Sequence, residues 1–339
     1  MKPQEALIRL IDHHEIQHDE MLSLIHQIIE GEISPELTAA ILIGLRVKRE
    51  TIGEIVAASQ AIRNLVTKVD LENPHNLVDT CGTGGDTAHT FNISTAVAFV
   101  AAAAGAHIAK HGGRSVSSKS GSADVLEALG ININQTPQQV ALAINEIGVG
   151  FMFAPNFHGV MRNLALIRHK LGVRTLFNIL GPLTNPAGAQ NQVLGVFSPE
   201  LVGILVRVLQ QLNSKHVMVV HGLDGLDEIT TACETKIGEL RNGKITEYSI
   251  KPEDFDIKVS DISTITVQNS KQSKDILLSV LENKPGTALD IVLLNAGAAI
   301  YVAGITNSLE LGVEKARIVI KKGLAREKLQ ELIQFTNKN

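Results

Sequence analysis

The pattern of the chain changes once, near residue 76, and this change constrains the fold more than any other feature of the sequence. Before it, apolar residues recur at helical spacing, as in Leu22, Ile25 and Ile29, and no strand-like alternation occurs. After it, short apolar segments alternate with Gly-rich turns and helices. Such alternation predicts a mostly parallel central sheet covered by helices, in a larger α/β domain that follows a small all-helical domain.

Local signals set the ends of several predicted elements. Thr51 and Glu54 form a capping box that starts one of the N-terminal helices. In the α/β part, the sequence ELRNGKITEY predicts a hairpin with a type I′ turn at Asn242-Gly243. Two helices, at about 287–303 and 309–334, are predicted to close the chain.

Composition limits the partners of the 339-residue chain. Its net charge is −4 and it contains 3% aromatic residues and no Trp, so we expect no nucleic-acid partner. The longest apolar run, residues 96–106, is too short to cross a bilayer, and the N-terminus has no signal-peptide pattern. With only two cysteines, Cys81 and Cys233, a disulfide framework is excluded. These features predict no membrane partner and a cytoplasmic location.

The densest functional signal is the sequence GTGGD at residues 82–86, which lies between a predicted strand and a predicted helix. Glycines at such a place let backbone N–H groups approach an anion, and the helix N-terminus adds positive dipole. The spacing matches neither the dinucleotide fingerprint nor the P-loop. A tight turn without a ligand is the alternative. The sequence NIST at residues 92–95, at the start of the same helix, favours the ligand.

A second polar loop, KHGGRSVSSKSGS at residues 110–122, also follows a predicted strand and precedes a helix. Its three cations, five serines and its glycines suit a phosphorylated ligand, although a solvated polar loop has a similar composition. Two such loops on successive strand ends indicate one ligand with more than one phosphate.

Asp227 and Glu228 follow the predicted strand HVMVVHG. Adjacent carboxylates in a loop are usually only solvated. Beside a phosphate site they become candidate Mg²⁺ ligands, because Mg²⁺ typically takes one or two carboxylates together with phosphate oxygens. The hydroxyl of Ser94 could complete such a site.

Two further signals have structural explanations. Residues 14–18, HEIQH, match the zinc-protease pattern H-E-x-x-H, which requires both histidines on one helix. Here the first helix is predicted to end and the next to begin within this stretch, with His18 or Asp19 as its cap. Cys81 has no evident catalytic partner and is interpreted as a packed residue.

The motifs GTGGD, FNIST, RSVSSKSGSADVLEALG, RTLFNILGPLTNP and DE occur in this order along the chain. Together they resemble those of the anthranilate phosphoribosyltransferases, essentially from end to end. The resemblance implies a fold of the nucleoside phosphorylase/phosphoribosyltransferase type. It implies a helical domain at 1–70 with about 162–186, which forms a homodimer, and an α/β domain at 75–161 with 187–339. It also implies that 5-phosphoribosyl 1-diphosphate (PRPP) and anthranilate are the substrates, in tryptophan biosynthesis, with two Mg²⁺ ions per monomer.

The resemblance also implies site residues at matching positions. Those expected to bind PRPP are Gly82, Gly85, Asp86, Thr90, Asn92, Ile93, Ser94, Thr95, Lys110, His111, Gly112, Gly113, Arg114, Ser115, Val116, Ser117, Ser118 and Ser122. Those expected to bind anthranilate are Gly82, His111, Gly113, Arg168 and Gly181. The expected metal ligands are Ser94, Asp227 and Glu228, and the expected catalytic residues are Lys110 and Arg168.

The chain departs from the family pattern at two places, both on the side of the anthranilate acceptor. Gly113 replaces the usual Asn, and the usual His-Pro-Ala-Met becomes HGVM at residues 158–161. Two alternatives remain: a nucleoside phosphorylase of the same fold, and a non-catalytic relative that binds nucleic acid. The net charge of −4 and the intact Asp227-Glu228 pair argue against the second.

Overall fold

A computed structural model describes residues 1–72, 75–86, 88–115, 119–159 and 162–338, with only the backbone of Arg162 and Asn163. The N-terminal part is a bundle of four helices: α1 (Pro3–Ile11), α2 (His18–Glu30), α3 (Pro35–Lys48) and α4 (Ile52–Leu65). The predicted capping box starts α4: Thr51 Oγ1 accepts the Glu54 N–H, and the Glu54 carboxylate accepts the Thr51 N–H. The small helical domain is therefore confirmed.

The larger part contains one seven-stranded sheet in the order β3-β2-β1-β4-β5-β6-β7. The strands are β1 (Leu77–Gly82), β2 (His107–Gly112), β3 (Val149–Phe153), β4 (Asn191–Gly195), β5 (His216–Gly222), β6 (Thr235–Arg241) and β7 (Lys244–Ile250). The first five strands are parallel and the last two antiparallel. Asn242 and Gly243 both have positive φ, of 52° and 74°, as the predicted type I′ turn between β6 and β7 requires.

Further helices follow the bundle along the chain, and several of them cover the two faces of this sheet. They are α5 (Ile93–Ala103), α6 (Ser122–Ala128), α7 (Pro137–Ile147), α8 (Ala154–Phe157), α9 (Arg162–Leu171), α10 (Phe177–Leu180), α11 (Glu200–Gln211), α12 (Ser270–Leu281), α13 (Thr287–Val302), α14 (Leu309–Lys321) and α15 (Leu324–Thr336). In β5, Met218 and Val220 belong to the core formed with α5 and α13, whereas Val217 and Val219 belong to the core formed with α11 and the helical bundle. Burial on both faces explains why the strand is continuously apolar.

The C-terminal part differs from the prediction. The helix predicted at 309–334 is two helices, because Gly323, at φ 76°, ends α14 and starts α15. Helix α12 was not predicted. Its sequence, SKQSKDILLSVL, is half polar, and it is capped by Asn269, whose side chain accepts the Gln272 N–H.

The segment that interrupts the strand–helix alternation lies against the N-terminal bundle. Helix α9 contacts α2 and α3, and α10 contacts α4. The buried side chains Leu164, Leu176 and Phe177 join the same apolar core as the bundle. Within the described parts of the chain, no helix is long and apolar enough to cross a membrane.

Candidate active site

The loops after β1 and β5 meet at the carboxyl ends of the parallel strands, beside the end of β4. The Gly84 N–H donates to Asp227 Oδ2 at 2.8 Å, which joins the loop after β1 to the loop after β5. The contact is close: a Cβ at Gly82 would lie 2.5 Å from Asp227 Oδ2, and one at Gly195 would lie 1.5 Å from the Asp227 carbonyl oxygen. Glycine at both strand ends therefore makes room for the loop that carries the two carboxylates. The predicted proximity of GTGGD and Asp227-Glu228 is present in the structure.

Lys110 lies beneath this junction and is 3% exposed. Its ammonium donates to the Thr80 carbonyl oxygen at 2.6 Å and to Ser94 Oγ at 3.0 Å. Burial lowers the pKa of Lys110, and the charges of Asp79 and Glu228 oppose that shift. The structure thus brings together a buried cation, a hydroxyl at the start of α5 and the loop after β5.

The carboxylates of this site repel one another. Burial raises the pKa of Asp227, and the negative charge of Asp86 adds to the shift. Burial also raises the pKa of Glu228, together with the charge of Asp227. In the described part of the chain, no three His, Cys, Asp or Glu side chains converge as an all-protein metal site needs. Excess negative charge with too few protein ligands fits Mg²⁺, which completes its shell with substrate phosphates.

Asn92 supports the loops through its side chain. Its Oδ1 accepts hydrogen bonds from Ser120 Oγ at 2.8 Å and Ser273 Oγ at 2.7 Å, and its Nδ2 donates to the Ser120 carbonyl oxygen. The amide that sequence reasoning assigned to PRPP therefore joins the second polar loop to α12. Thr90, also assigned to PRPP, pairs with Thr266 in an isolated β-bridge. Ile93 and Thr95 are buried in the first turn of α5, and Thr95 Oγ1 has no hydrogen-bond partner among the described residues.

The second polar loop is folded against the start of α6. A Cβ at Gly121 would lie 2.3 Å from the Ser115 nitrogen, so the two ends of the loop touch. The Asp124 carboxylate accepts the N–H groups of Ser115 and Gly121. The Arg114 guanidinium pairs with Asp124 and Glu127, so in this structure its charge is compensated on the α6 side. The predicted contacts Val116, Ser117 and Ser118 lie outside the described residues.

Ser122 also closes this loop, since its Oγ donates to the Gly113 carbonyl oxygen at 3.3 Å. A Cβ at Gly112 would lie 2.1 Å from the same Ser122 oxygen, so only glycine fits there without displacement. Gly113 differs: its φ lies outside the left-handed region, and the nearest atom to an added Cβ is Ala154 Cβ at 3.9 Å. The position where the family usually has Asn is therefore open.

Two histidine rings, His111 and His158, lie against each other at a tilt of 43°. The rings of His111 and His158 are 4.7 Å apart, and the Nε2 atom of each is buried without a hydrogen-bond partner among the described residues. Burial, with the neighbouring His158 and Lys110, lowers the pKa of His111 to about 3. Burial lowers the pKa of His158 to about 4. Both rings are therefore neutral at pH 7. Sequence reasoning had noted His158 only as part of a divergent motif and had not assigned it to the site.

Arg168 and Gly181, the other predicted acceptor residues, come from the segment that packs on the helical bundle. Arg168 is half-buried in the last turn of α9, and its guanidinium makes no hydrogen bond or ion pair with any residue that the structure describes. Burial lowers its pKa. Gly181 is exposed, and a Cβ there would meet no atom within 4 Å. Both positions are free to contact a ligand.

The HEIQH motif and Cys81, which the sequence analysis interprets as structural, have structural surroundings in the fold. Helix α1 ends at Ile11 and α2 begins at His18, so His14 and His18 are not on one helix. The His18 ring bonds to Asp19 and to Gln60, and the residue that caps α2 is Gln17 rather than His18 or Asp19. At the end of β1, Cys81 Sγ accepts a hydrogen bond from Gln192 Nε2, and burial raises its pKa well above that of a free thiol.

The fold and site define a class of glycosyl-group transferases. Residues 4–66 match the model described as "Glycosyl transferase family, helical bundle domain", and residues 74–326 match "Glycosyl transferase family, a/b domain". Within this class the chain belongs to the anthranilate phosphoribosyltransferase family. It is 65% identical to the anthranilate phosphoribosyltransferase of Nitrosospira multiformis, over 100% of this chain and 97% of that protein. It is 61% identical to that of Thiobacillus denitrificans, over 98% and 97% of the two chains.

Solved structures agree with this assignment. The crystal structure of anthranilate phosphoribosyltransferase from Thermus thermophilus is 39% identical, with a TM-score of 0.92 over 98% of this chain and 99% of that one. The Saccharomyces cerevisiae enzyme in complex with PRPP and Mg is 28% identical, with a TM-score of 0.85 over 95% and 93%. The same enzyme in complex with 4-fluoroanthranilate is 26% identical, with a TM-score of 0.83 over 95% and 92%.

Proposed function

We propose that this enzyme transfers the phosphoribosyl group of PRPP to the amine of anthranilate, in tryptophan biosynthesis. The products are N-(5-phosphoribosyl)anthranilate and diphosphate. The observation that carries the proposal is the junction of the GTGGD loop, Lys110 and the Asp227-Glu228 pair at the ends of β1, β2 and β5. Such a junction combines backbone N–H donors, a cation and carboxylates, which is what a Mg²⁺-bound diphosphate requires.

Mg²⁺ is the proposed cofactor, with two ions per monomer. Ser94 and Glu228 would hold one ion, and Asp227 with Glu228 the other. When bound, Mg²⁺ would neutralise the negative charge that develops on the departing diphosphate. The raised pKa values of both carboxylates support the proposal: burial is the main cause and mutual repulsion the second, and a bound divalent cation would favour the charged form of both groups.

The residues of the chain supply mainly position and charge. Lys110 places an ammonium group at the start of α5, where the diphosphate is proposed to leave. Thr80 and Ser94 already fix this group, so it does not have to move when charge develops on the leaving diphosphate. Arg168 is the proposed partner of the anthranilate carboxylate, since its guanidinium is free of other partners in the described residues. The anthranilate amine is neutral at pH 7, so it attacks without a strong base.

We also propose that the enzyme is a homodimer formed through the helical bundle. Ile8 and Ile11 on α1, Val47 on α3 and Leu166 on α9 are each at least 58% exposed, although these helices contact one another along the bundle. Large exposed apolar side chains on helices that contact one another are a feature of interaction surfaces. Sedimentation at micromolar concentration tests this: a monomer would contradict the proposal.

The transferase reaction is tested by the loss of anthranilate fluorescence on addition of PRPP and Mg²⁺. Three controls omit PRPP, omit the metal, or replace PRPP with ribose 5-phosphate. The alternative, a nucleoside phosphorylase of the same fold, predicts release of a nucleobase from a pyrimidine nucleoside and inorganic phosphate. Base release without fluorescence loss would overturn the proposed function.

A further inference from the structure

Arg174 lies between α9 and α10, in the same segment as Arg168, and none of the predicted sites includes it. Its Nη2 atom donates to the Gly85 carbonyl oxygen. Its guanidinium carbon lies 4.1 Å from the centre of the Phe197 ring, which follows β4. Arg174 therefore joins the segment packed on the helical bundle to the GTGGD loop of the α/β part.

The loop that Arg174 contacts has an unusual backbone. Gly84 and Gly85 have successive positive φ angles of 67° and 80°. A Cβ at Gly85 would lie 3.4 Å from both Nε and Nη2 of Arg174, so the guanidinium packs directly on this backbone. On its other side, the loop is fixed to β4: the Thr83 N–H donates to the Gly195 carbonyl oxygen, and Thr83 Oγ1 accepts the Phe197 N–H. Arg174 supplies the contact at the end that β4 does not reach.

The charge of Arg174 is also uncompensated. Among the residues that the structure describes, no carboxylate lies within 4.0 Å of its guanidinium, in contrast to Arg114 and Arg207. The side chain is exposed, and one of the five N–H donors of a guanidinium is used. An unpaired cation stacked on an aromatic ring beside a Gly-rich loop raises the local positive potential where an anion would bind.

We propose that Arg174 is a positioning residue for the diphosphate of PRPP. It holds Gly84 and Gly85 in place and adds positive charge beside the GTGGD loop, and it does so from the segment that also carries Arg168. The inference rests on the proposed function, because it assigns the GTGGD loop to diphosphate. It extends that function by giving the acceptor-bearing segment a part in the binding of the other substrate.

The test compares Arg174→Ala, Arg174→Lys and Phe197→Leu with the wild-type enzyme. Loss of one hydrogen bond to the loop and of the adjacent charge corresponds to about tenfold in affinity. Arg174→Ala should therefore raise the KM for PRPP, and the inhibition constant of inorganic diphosphate, by about that factor. The KM for anthranilate should not change. Arg174→Lys keeps the charge and one donor and should recover part of the loss, whereas Phe197→Leu removes the ring and should show a smaller loss.

Arg207→Ala is the matched control, because Arg207 is a surface arginine paired with Glu247, away from the site. It should leave all three constants unchanged. An unchanged diphosphate inhibition constant in Arg174→Ala, or an equal rise in the KM for anthranilate, would overturn the proposal. The binding of inorganic diphosphate in the presence of Mg²⁺, measured by calorimetry, tests the role of Arg174 without the transfer reaction. If the wild-type enzyme binds diphosphate but does not transfer the phosphoribosyl group, the proposed function is wrong and the role of Arg174 is not.

Discussion

The two sides of the candidate active site are built in different ways. The side proposed for the diphosphate (residues 82–86 and 88–95, Lys110 and the Asp227-Glu228 pair) consists of strand ends, loops and the start of α5 that bond to one another, as Gly84 does to Asp227 and Lys110 to Ser94. The acceptor side (His111, Gly113, His158, Arg168 and Gly181) consists of side chains without partners among the described residues and of open glycine positions. The sheet therefore holds the groups of the diphosphate side in place before any ligand binds. The groups of the acceptor side are left free to contact a ligand.

Substitutions on the two sides should have different effects. A change on the diphosphate side disturbs several loops at once, because each group is tied to another loop. A change at the more exposed Arg168, Gly113 or Gly181 is expected to alter contact with the proposed acceptor and to leave the fold in place, whereas a change at the buried His158 also alters stability. Substitutions on the two sides should therefore differ in size and in the kinetic constant that they affect.

The largest effect is expected for Glu228→Gln on the diphosphate side. Loss of a carboxylate proposed to be common to both metal positions should lower kcat by at least ~100-fold, the usual scale for removal of a preorganised electrostatic group. The unfolding free energy should not fall, since Gln is neutral and matches the size of a carboxyl group whose pKa is already raised by burial. Steady-state kinetics and urea unfolding measure the two, with Glu247→Gln as the surface control. Wild-type turnover would mean that the carboxylates are only solvated.

The next effect is expected for Arg168→Ala on the acceptor side. A hydrogen bond between charged groups contributes about 1.5–3 kcal/mol, so the KM for anthranilate should rise by about 10- to 150-fold. The KM for PRPP should stay within about twofold. Arg168→Lys keeps the charge without the planar fork and should recover only part of the affinity. A rise in the KM for PRPP instead would assign this arginine to the other side.

The burial of His158 predicts a dependence of stability on pH. The pKa of His158 is about 4 in the folded protein and about 6.5 in the unfolded chain, so the unfolded state binds more protons between these values. The stability contributed above pH 6.5 is lost as the pH falls, by about 2 kcal/mol at pH 5 for this one residue. Urea unfolding at pH 7 and pH 5 measures the loss of unfolding free energy between the two pH values. This loss should be smaller by about 2 kcal/mol in His158→Gln than in the wild-type enzyme. An equal difference in both proteins would contradict the burial of an unpaired ring.

The smallest effect is expected for Gly113→Asn. The backbone at Gly113 is outside the left-handed region and an added Cβ meets only Ala154, so Asn fits without strain. One added neutral hydrogen bond contributes about 0.5–1.5 kcal/mol, which should lower the KM for anthranilate by about two- to tenfold and leave that for PRPP unchanged. Loss of PRPP binding with unchanged anthranilate binding would place Gly113 on the diphosphate side.

The same contrast explains what the sequence could predict. The strands, the parallel sheet and the meeting of GTGGD with Asp227 follow from local periodicity and from the rule that parallel strands end at one edge. The use of Asn92 in joining two loops, and of Arg174 in holding Gly85, depends on partners 181 and 89 residues away. Nothing local marks such contacts. His158 was missed for the same reason, because its burial beside His111 arises only when β2 lies next to β3 and the short helix α8 that follows it.

Gly195 at the end of β4 bears on how this site can vary in evolution. An added Cβ would lie 1.5 Å from the carbonyl oxygen of Asp227, so even alanine would force the backbone of that loop to move. Glycine is required at position 195 because the space that a side chain would occupy is filled by Asp227. A mutation at Gly195 would therefore act as a change in the carboxylate pair, because the residue that the new side chain displaces is Asp227.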